Sequence, residues 1–221
     1  MTLPAPWRVR HLPLLLLLLA APLLALANSD PLPSWKDGPS KQGILAFVQA
    51  VTTQGGPDYV KPAERIAVFD NDGTLWSEQP AYFEVLFAFD EIKRLAPQHP
   101  EWKARQPFQA VLEGDHQALA ASGMHGLLQI IGATHTGISS EAFIDNARRW
   151  LAEARHPKTG RPFNQMIYQP MLEMLDYLRS QDFKTYIVSG GDTAFMRAFA
   201  ESAYGIPPEQ VIGSNFVTQW Q

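Results

Sequence analysis

The chain has 221 residues, of which 46% are hydrophobic and 18% are charged, and its formal net charge is −4. This composition excludes a disordered protein and is sufficient for one domain with a sizeable core. Lys and Arg form no cluster beyond the pair Arg148 and Arg149, so the charge pattern offers no electrostatic footprint for nucleic acid. The chain has no cysteine, which excludes disulfides and a lipoprotein anchor.

The first 27 residues have the three parts of a secretory signal peptide. Two arginines precede an apolar run at residues 12–27, and this run ends in small residues that suit a cleavage site. An uncleaved membrane anchor is the alternative, but the run is short for a bilayer span and two prolines interrupt it. We therefore predict cleavage after Ala27, a periplasmic or secreted mature protein, and no membrane contact once the signal is removed.

The next segments indicate an α/β core. Residues 28–41 are rich in Pro, Gly and Ser and predict a linker, and the apolar spacing of residues 42–52 predicts a helix. Residues 65–70 and 184–192 each predict a buried strand, and an amphipathic helix that begins at Pro170 precedes the second strand. This order predicts a Rossmann-like parallel sheet with its ligand site at the carboxyl ends of the strands.

A long helical segment separates the two strands. Pro and Gly residues divide it into helical stretches near residues 82–95, 108–112, 126–131 and 141–155. We interpret residues 77–161 as a helical cap inserted into a core made of residues 42–76 and 162–221. Because the cap follows the strand that bears Asp70, it is expected to lie over the carboxyl end of that strand and to exclude water.

The stretch DNDGT at residues 70–74 places two carboxylates, Asp70 and Asp72, where the first strand ends. A calcium loop of the EF-hand type would need ligands at Val68 and Gln79, which supply neither an oxygen ligand nor a bidentate Glu. A simple turn explains Gly73, but it does not explain why a carboxylate ends a buried strand. A catalytic pair accounts for both aspartates, one for nucleophilic attack and one for proton transfer.

The second strand ends in Ser189, Gly190 and Gly191, and a helix is predicted over residues 192–200. A hydroxyl and glycine amides at the start of a helix can surround phosphate oxygens. A strand-to-helix turn with glycines also occurs for structural reasons alone. The presence of the aspartate pair favours the phosphate interpretation.

Together these two stretches resemble the first and second motifs of the haloacid dehalogenase superfamily, and VSGG is most similar to the phosphoserine phosphatase branch. The resemblance implies a Mg²⁺-dependent phosphomonoesterase that acts on a small phosphorylated substrate. Asp70 would form an aspartyl phosphate, and Asp72 would act as general acid and base. The Asp70 carboxylate and the Asp72 carbonyl would hold Mg²⁺, while Thr74, Ser189 and Gly190 would bind the phosphoryl group.

Two other functions remain open beside the phosphatase. The second aspartate favours a phosphate ester, because dehalogenases, as a family, do not keep it. The alternatives are a catalytically weak or inactive binding protein that retains the fold, and a hydrolase of the same superfamily that acts on a substrate other than a phosphate ester.

Several residues have two interpretations each. Glu78 is either a solvated glutamate at a helix start or a contact for a substrate amine. His135 is either a surface or locally bonded histidine or a substrate contact. Arg148 and Arg149 either decorate a helix face or reach a substrate anion. Tyr82 is assigned to the core of the cap.

The C-terminal part of the chain lacks two motifs that the resemblance implies, a Lys or Arg and then an acidic pair. Only 29 residues follow Asp192, and they contain no lysine and one arginine, Arg197, which is either an exposed helix residue or a substitute cation. We therefore expect a truncated form with weak Mg²⁺ affinity and little phosphatase activity. The oligomeric state is not predicted.

Overall fold

The structure of the protein is a computed structural model that describes residues 30–219. The predicted signal peptide at residues 1–27 lies outside the described residues. Within the described part of the chain, no helix combines the length and apolarity needed to cross a membrane.

A three-stranded parallel sheet forms the centre of the fold. Its strands are β1 (Ile66–Phe69), β2 (Lys184–Asp192) and β3 (Val211–Ser214), and they lie side by side in that order. The register pairs Phe69 of β1 with Ile187 of β2, which in turn pairs with Val211 of β3. The predicted α/β class with a parallel sheet is therefore confirmed.

Helices precede the sheet in the chain and connect its strands. The first, α1 (Pro39–Thr52), begins inside the segment predicted to be a linker, because proline suits the first turn of a helix. Leu32, from the same segment, is fully buried. Between the inserted helices and β2 lies α6 (Gln169–Ser180), which also has proline in its first turn, as the sequence predicted.

The inserted segment contains four α-helices, which are α2 (Phe83–Leu95), α3 (Phe108–Glu113), α4 (His116–His135) and α5 (Ser140–Glu153). The stretch of chain that leads into this segment lies beside the stretch that leads out of it. The Ser77 N–H donates to the Met166 carbonyl and the Tyr168 N–H donates to the Leu75 carbonyl, each at 3.0 Å. These contacts bring the two ends of the insertion together, and the division into core and cap domains stays a prediction.

Two helices differ from their predicted bounds. Helix α4 extends beyond the predicted stretch at both ends and is kinked at Gly123, whose φ of 55° and ψ of −154° are not helical. Asp115 caps its start by accepting the N–H groups of Gln117 and Ala118. The helix predicted over residues 192–200 is instead two short helices, α7 (Thr193–Arg197) and α8 (Ala200–Tyr204). Glycine follows α8 at position 205 in the left-handed conformation, with φ of 67°, which ends the helix.

The largest buried cluster joins the inserted helices to the sheet. Phe83 and Phe87 of α2 pack in the same cluster as Ile187 of β2 and Phe195 of α7. A second cluster lies among α2, α3 and α4 and contains Ile92, Trp102, Phe108, Val111 and Ile130. The inserted helices thus have a core of their own and also contribute to the core of the sheet, which fixes them close to the strand ends.

Candidate active site

A cavity of about 370 Å³ lies at the carboxyl ends of β1 and β2. It brings together four of the predicted site residues, Asp70, Asp72, Ser189 and Gly190, although more than 100 residues separate the two pairs in the chain. The rest of the lining comes from the connection after β1, from the inserted helices and from the β2 end: Glu78, Tyr82, Glu84, Val85, Leu127, Ile131 and Gly191.

The turn after β1 is organised around Asn71, which is almost completely buried. Its carbonyl accepts the N–H groups of Thr74 at 3.1 Å and Leu75 at 2.8 Å. Its side-chain Oδ1 accepts the hydroxyl of the buried Tyr204 at 3.3 Å. Both the backbone and the side chain of Asn71 are therefore hydrogen-bonded. These bonds fix the backbone on either side of Asn71, from which the side chains of Asp70 and Asp72 extend.

Gly73 is a position where the turn requires glycine. Its φ is 72°, in the left-handed region, and its N–H donates to the Trp76 carbonyl at 2.9 Å. A Cβ at this position would lie 3.0 Å from the carboxylate of Glu78. The glycine thus allows the chain to turn away from the strand and also leaves room for Glu78 in the cavity wall.

The surroundings of Asp72 in the cavity change the pKa of its carboxyl. Burial raises the pKa of its carboxyl to about 6, and the charges of Glu84, Asp70 and Glu78 act in the same direction. The indole N–H of Trp76 donates to Asp72 Oδ1 at 2.7 Å and partly opposes this rise. A carboxyl with a pKa near 6 can be protonated or ionised close to neutral pH, which is the property that a general acid and base needs.

The end of β2, the strand next to β1, forms another part of the cavity wall. The Ser189 Oγ accepts the Gly191 N–H at 3.4 Å, and the Ser214 hydroxyl donates to the Gly190 carbonyl at 2.9 Å. Asp192 caps α7 because its Oδ1 accepts the Phe195 N–H at 2.8 Å. Burial, followed by the charge of Glu84, raises the pKa of the Asp192 carboxyl.

Thr74 lies outside the set of residues that line the cavity, and its N–H closes the turn at Asn71. Its role in phosphate binding stays a prediction. Arg148 and Arg149 are exposed on α5 and donate to Asp145 and Asn146, each at 2.6 Å, as expected for residues that decorate a helix face.

Arg197 is also exposed, and its Nε donates to the Pro208 carbonyl at 2.9 Å. It does not belong to the cavity lining, so it is an exposed helix residue, as one of its two interpretations expected. The structure does not place it as a substitute cation.

Two interpretations of single residues need correction, and a third, that of His135, is narrowed. Glu78 is not at a helix start, because α2 begins five residues later, and its carboxylate lines the cavity instead. Tyr82 is 55% exposed and lines the same cavity rather than the core of the insertion. His135 is the buried last residue of α4 rather than a surface residue, and its Nδ1 lies 2.7 Å from the Thr134 Oγ1, as the locally bonded alternative expected.

Glu84 is the cavity residue that sequence reasoning missed. It lies in the first turn of α2 and belongs to no motif. Its one signal in the sequence is a carboxylate within an otherwise apolar helix start, FEVLF, and that pattern also fits a solvent-facing helix position. Apolar wall residues such as Leu127 and Ile131 had no signal at all, because they follow the ordinary spacing of an amphipathic helix.

The lining of the cavity is acidic. It contains four carboxylates, and none of its described members is Lys, Arg or His. Within residues 30–219, this cavity included, no group of three or more His, Asp and Glu side chains is placed to hold a metal ion. The carboxylate of Asp70 and the carbonyl of Asp72 are oxygen donors of the kind that Mg²⁺ prefers, and this ion commonly keeps water and substrate phosphate as its other ligands. The residues present therefore fit Mg²⁺ in kind, with few protein ligands.

A sequence profile of the haloacid dehalogenase-like hydrolases matches residues 67–220, which is more than half of the chain. The chain therefore belongs to the haloacid dehalogenase-like hydrolase family.

Among solved structures, the chain is similar to a phosphoserine phosphohydrolase-like protein from Francisella tularensis subsp. tularensis SCHU S4, with 17% sequence identity and a TM-score of 0.38. The match covers 70% of this chain and 60% of that protein, so this chain spans less than two thirds of its length. No curated protein matches the sequence.

Proposed function

We propose that this hydrolase is a Mg²⁺-dependent phosphomonoester phosphatase that acts through an aspartyl phosphate on a small phosphorylated substrate. The observation that carries the proposal is the single cavity shared by Asp70, Asp72, Ser189 and Gly190. A carboxylate pair lines the same cavity as a hydroxyl and a glycine backbone, which is the set of groups that attack on phosphorus and phosphate binding require.

In this proposal Asp70 attacks phosphorus and the ester oxygen leaves. Asp72 donates its proton to that oxygen and then takes a proton from the water that hydrolyses the aspartyl phosphate. The raised pKa of Asp72, about 6, supports this double role, because both protonation states are accessible near neutral pH. Ser189 and the Gly190 amide hold the transferring phosphoryl group.

The acidic lining supports a requirement for a divalent cation. Four carboxylates and an anionic ester repel each other, and the described lining supplies no basic side chain to offset that repulsion. When bound through the Asp70 carboxylate and the Asp72 carbonyl, Mg²⁺ would supply positive charge next to the phosphate oxygens. Few protein ligands also predict weak affinity for the ion.

The absence of a basic side chain from the described lining favours a second candidate, a family member that retains the fold with little or no turnover. The two candidates differ in one measurement. Phosphate release from p-nitrophenyl phosphate, followed by a panel of phosphomonoesters, should depend on added Mg²⁺ if the phosphatase proposal is correct. A phosphorylated peptide that contains Asp70, detected by mass spectrometry after acid quench, would support the covalent step. Binding of the esters without any phosphate release would favour the second candidate.

We also propose that the protein is exported, on the basis of the signal pattern in residues 1–27. Expressed with its own leader in a Gram-negative host, the mature chain should be found in the periplasm with Asn28 at its amino terminus. A protein that keeps Met1 and fractionates with the membrane would contradict this and favour an anchor.

A further inference from the structure

Glu84 lies where the inserted helices meet the end of β2, and the mechanism proposed above gives it no role. Its side chain lines the cavity and is only 18% exposed. Its Oε2 accepts the backbone N–H of Asp192 at 2.9 Å, across 108 positions of the sequence. A carboxylate from α2 thus accepts a hydrogen bond from the backbone two residues after Gly190.

The other oxygen of Glu84 faces a buried histidine. Its Oε1 lies 3.6 Å from Nε2 of His135, whose side chain is 1% exposed. This Nε2 has no hydrogen-bond partner within the described residues, while Nδ1 lies 2.7 Å from the Thr134 hydroxyl. A buried polar nitrogen without a hydrogen bond is costly, and the Glu84 carboxylate, at 3.6 Å, is an acidic group close to it.

Aromatic packing holds the three elements around Glu84 together. Phe87, one turn further along α2, contacts the ring of His135 at 5.9 Å and the ring of Phe195 on α7 at 5.5 Å between centroids. These contacts fix the start of α2 against both α4 and the segment that follows β2. The carboxylate of Glu84 is therefore in a defined position relative to the Asp192 N–H.

We infer that Glu84 is a positioning residue that fastens the inserted helices to the C-terminal end of β2, residues 189–192, which departs from the regular strand register and is called the phosphate-binding loop below. The inference rests on the proposed function, because it takes this loop as the phosphate site. Gly191 supports it, since a Cβ there would lie 3.2 Å from Glu84 Oε2, so the carboxylate lies close to the loop backbone at two successive residues. Without an acceptor at position 84, the Asp192 N–H loses its partner and the loop loses its contact with α2.

Two effects of Glu84 on phosphate binding oppose each other. Its charge repels an anion in the cavity, whereas its hydrogen bond holds the loop in place. Glu84→Gln removes the charge but keeps an acceptor for the Asp192 N–H, and Glu84→Ala removes both. The comparison between these two variants therefore isolates positioning, because their charge is the same.

Inorganic phosphate is the probe, titrated in the presence of Mg²⁺ against the purified full chain and followed by calorimetry. We expect Glu84→Ala to bind phosphate about tenfold more weakly than Glu84→Gln. The difference is the effect of losing the hydrogen bond between the Asp192 N–H and the side chain at position 84. Glu78→Ala and Glu78→Gln form the matched control pair, since Glu78 lines the same cavity without a hydrogen bond to the loop, and they should agree within about twofold. Equal affinities in the two Glu84 variants would overturn the inference.

A second measurement does not depend on turnover or on phosphate binding. In amide NMR spectra, Glu84→Ala should shift the Asp192 resonance and speed hydrogen exchange at Gly191 and Asp192, while Glu84→Gln should retain most of the protection. The Glu78 pair should leave these signals unchanged. If the wild-type chain neither binds nor hydrolyses phosphate esters, the proposed function fails while these amide signals still decide the Glu84 contact. Unchanged Asp192 exchange in Glu84→Ala would refute that contact.

Discussion

At the carboxyl ends of β1 and β2 the polar groups have defined partners, whereas on one face of the same sheet apolar side chains remain in contact with solvent. Asn71 and Asp72 are held by Tyr204 and Trp76 at the site. On the uncovered face, which we define by Ile66, Val68, Val188 and Ile212, each side chain is between 43% and 58% exposed. The register places these side chains on the same side of neighbouring strands.

An apolar groove of about 550 Å³ continues this exposed region between α1, β1 and α6. Large exposed apolar regions of this kind commonly mark places where proteins associate. The contrast teaches that one small sheet combines a polar site with defined partners and an exposed apolar face. Substitutions at the site should change turnover with little change in association, and substitutions on the uncovered face should do the opposite.

The strongest test of the site is Asp70→Asn, which removes the nucleophile and keeps its shape. We expect turnover to fall by roughly a thousandfold or more, because amides do not replace a carboxylate as nucleophile. The thermal unfolding midpoint should stay close to that of the wild type. Substantial activity in this variant would contradict the assignment of Asp70.

Asp72→Asn tests the proton-transfer role through the leaving group. For esters with a poor leaving group the rate should fall by roughly a hundredfold or more, since the leaving oxygen needs a proton. The loss should be smaller for p-nitrophenyl phosphate, whose leaving oxygen needs little protonation. Equal losses on both substrates, measured as kcat/KM, would exclude Asp72 as the acid.

The same variant should also change stability in a pH-dependent way. The pKa of Asp72 is raised from 3.8 to about 6 in the folded protein, so between these pH values the folded state holds a proton that the unfolded state has lost. Wild-type stability therefore falls as pH rises through this window. Asp72→Asn has no carboxyl group to ionise at this buried position. It should be more stable than the wild type at pH 8 by about 2 kcal/mol, allowing for partial exposure.

Chemical unfolding at pH 8 and pH 4 measures this difference. The advantage of Asp72→Asn should be nearly absent at pH 4, where Asp72 is largely protonated in the folded wild type. An advantage of the same size at both pH values would show that the raised pKa does not limit stability.

On the uncovered face we expect the smallest effect on chemistry. Ile66→Thr keeps a β-branched side chain in β1 and replaces an apolar surface with a polar one. It should reduce binding of an apolar fluorescent dye and reduce self-association in sedimentation experiments, with turnover unchanged. A clear loss of turnover would show that this face and the site are coupled, which would break the contrast between the two regions.

The sequence alone determined the parallel α/β sheet and the grouping of the motif residues. Four apolar residues before Asp70 and the strand at residues 184–192 sufficed, because parallel strands end at the same edge of a sheet and bring Asp70 and Ser189 together. The sequence also indicated that the segment between these strands is helical. It could not show the exact ends of α4, since Gly132 resembles a helix stop while Ile130 is buried and the helix continues to His135.

Only the tertiary structure decided which other groups meet the motif residues. Glu84 is an unremarkable position on an amphipathic helix until α2 packs through Phe87 against Phe195 and brings its carboxylate to the Asp192 N–H. His135 likewise became a buried partner of Glu84 because the chain folds α4 beside α2. Local sequence patterns indicate the secondary structure of each segment. The contacts of Glu84 and His135 join residues far apart in the chain, and their distances depend on how the helices pack against the sheet and against each other.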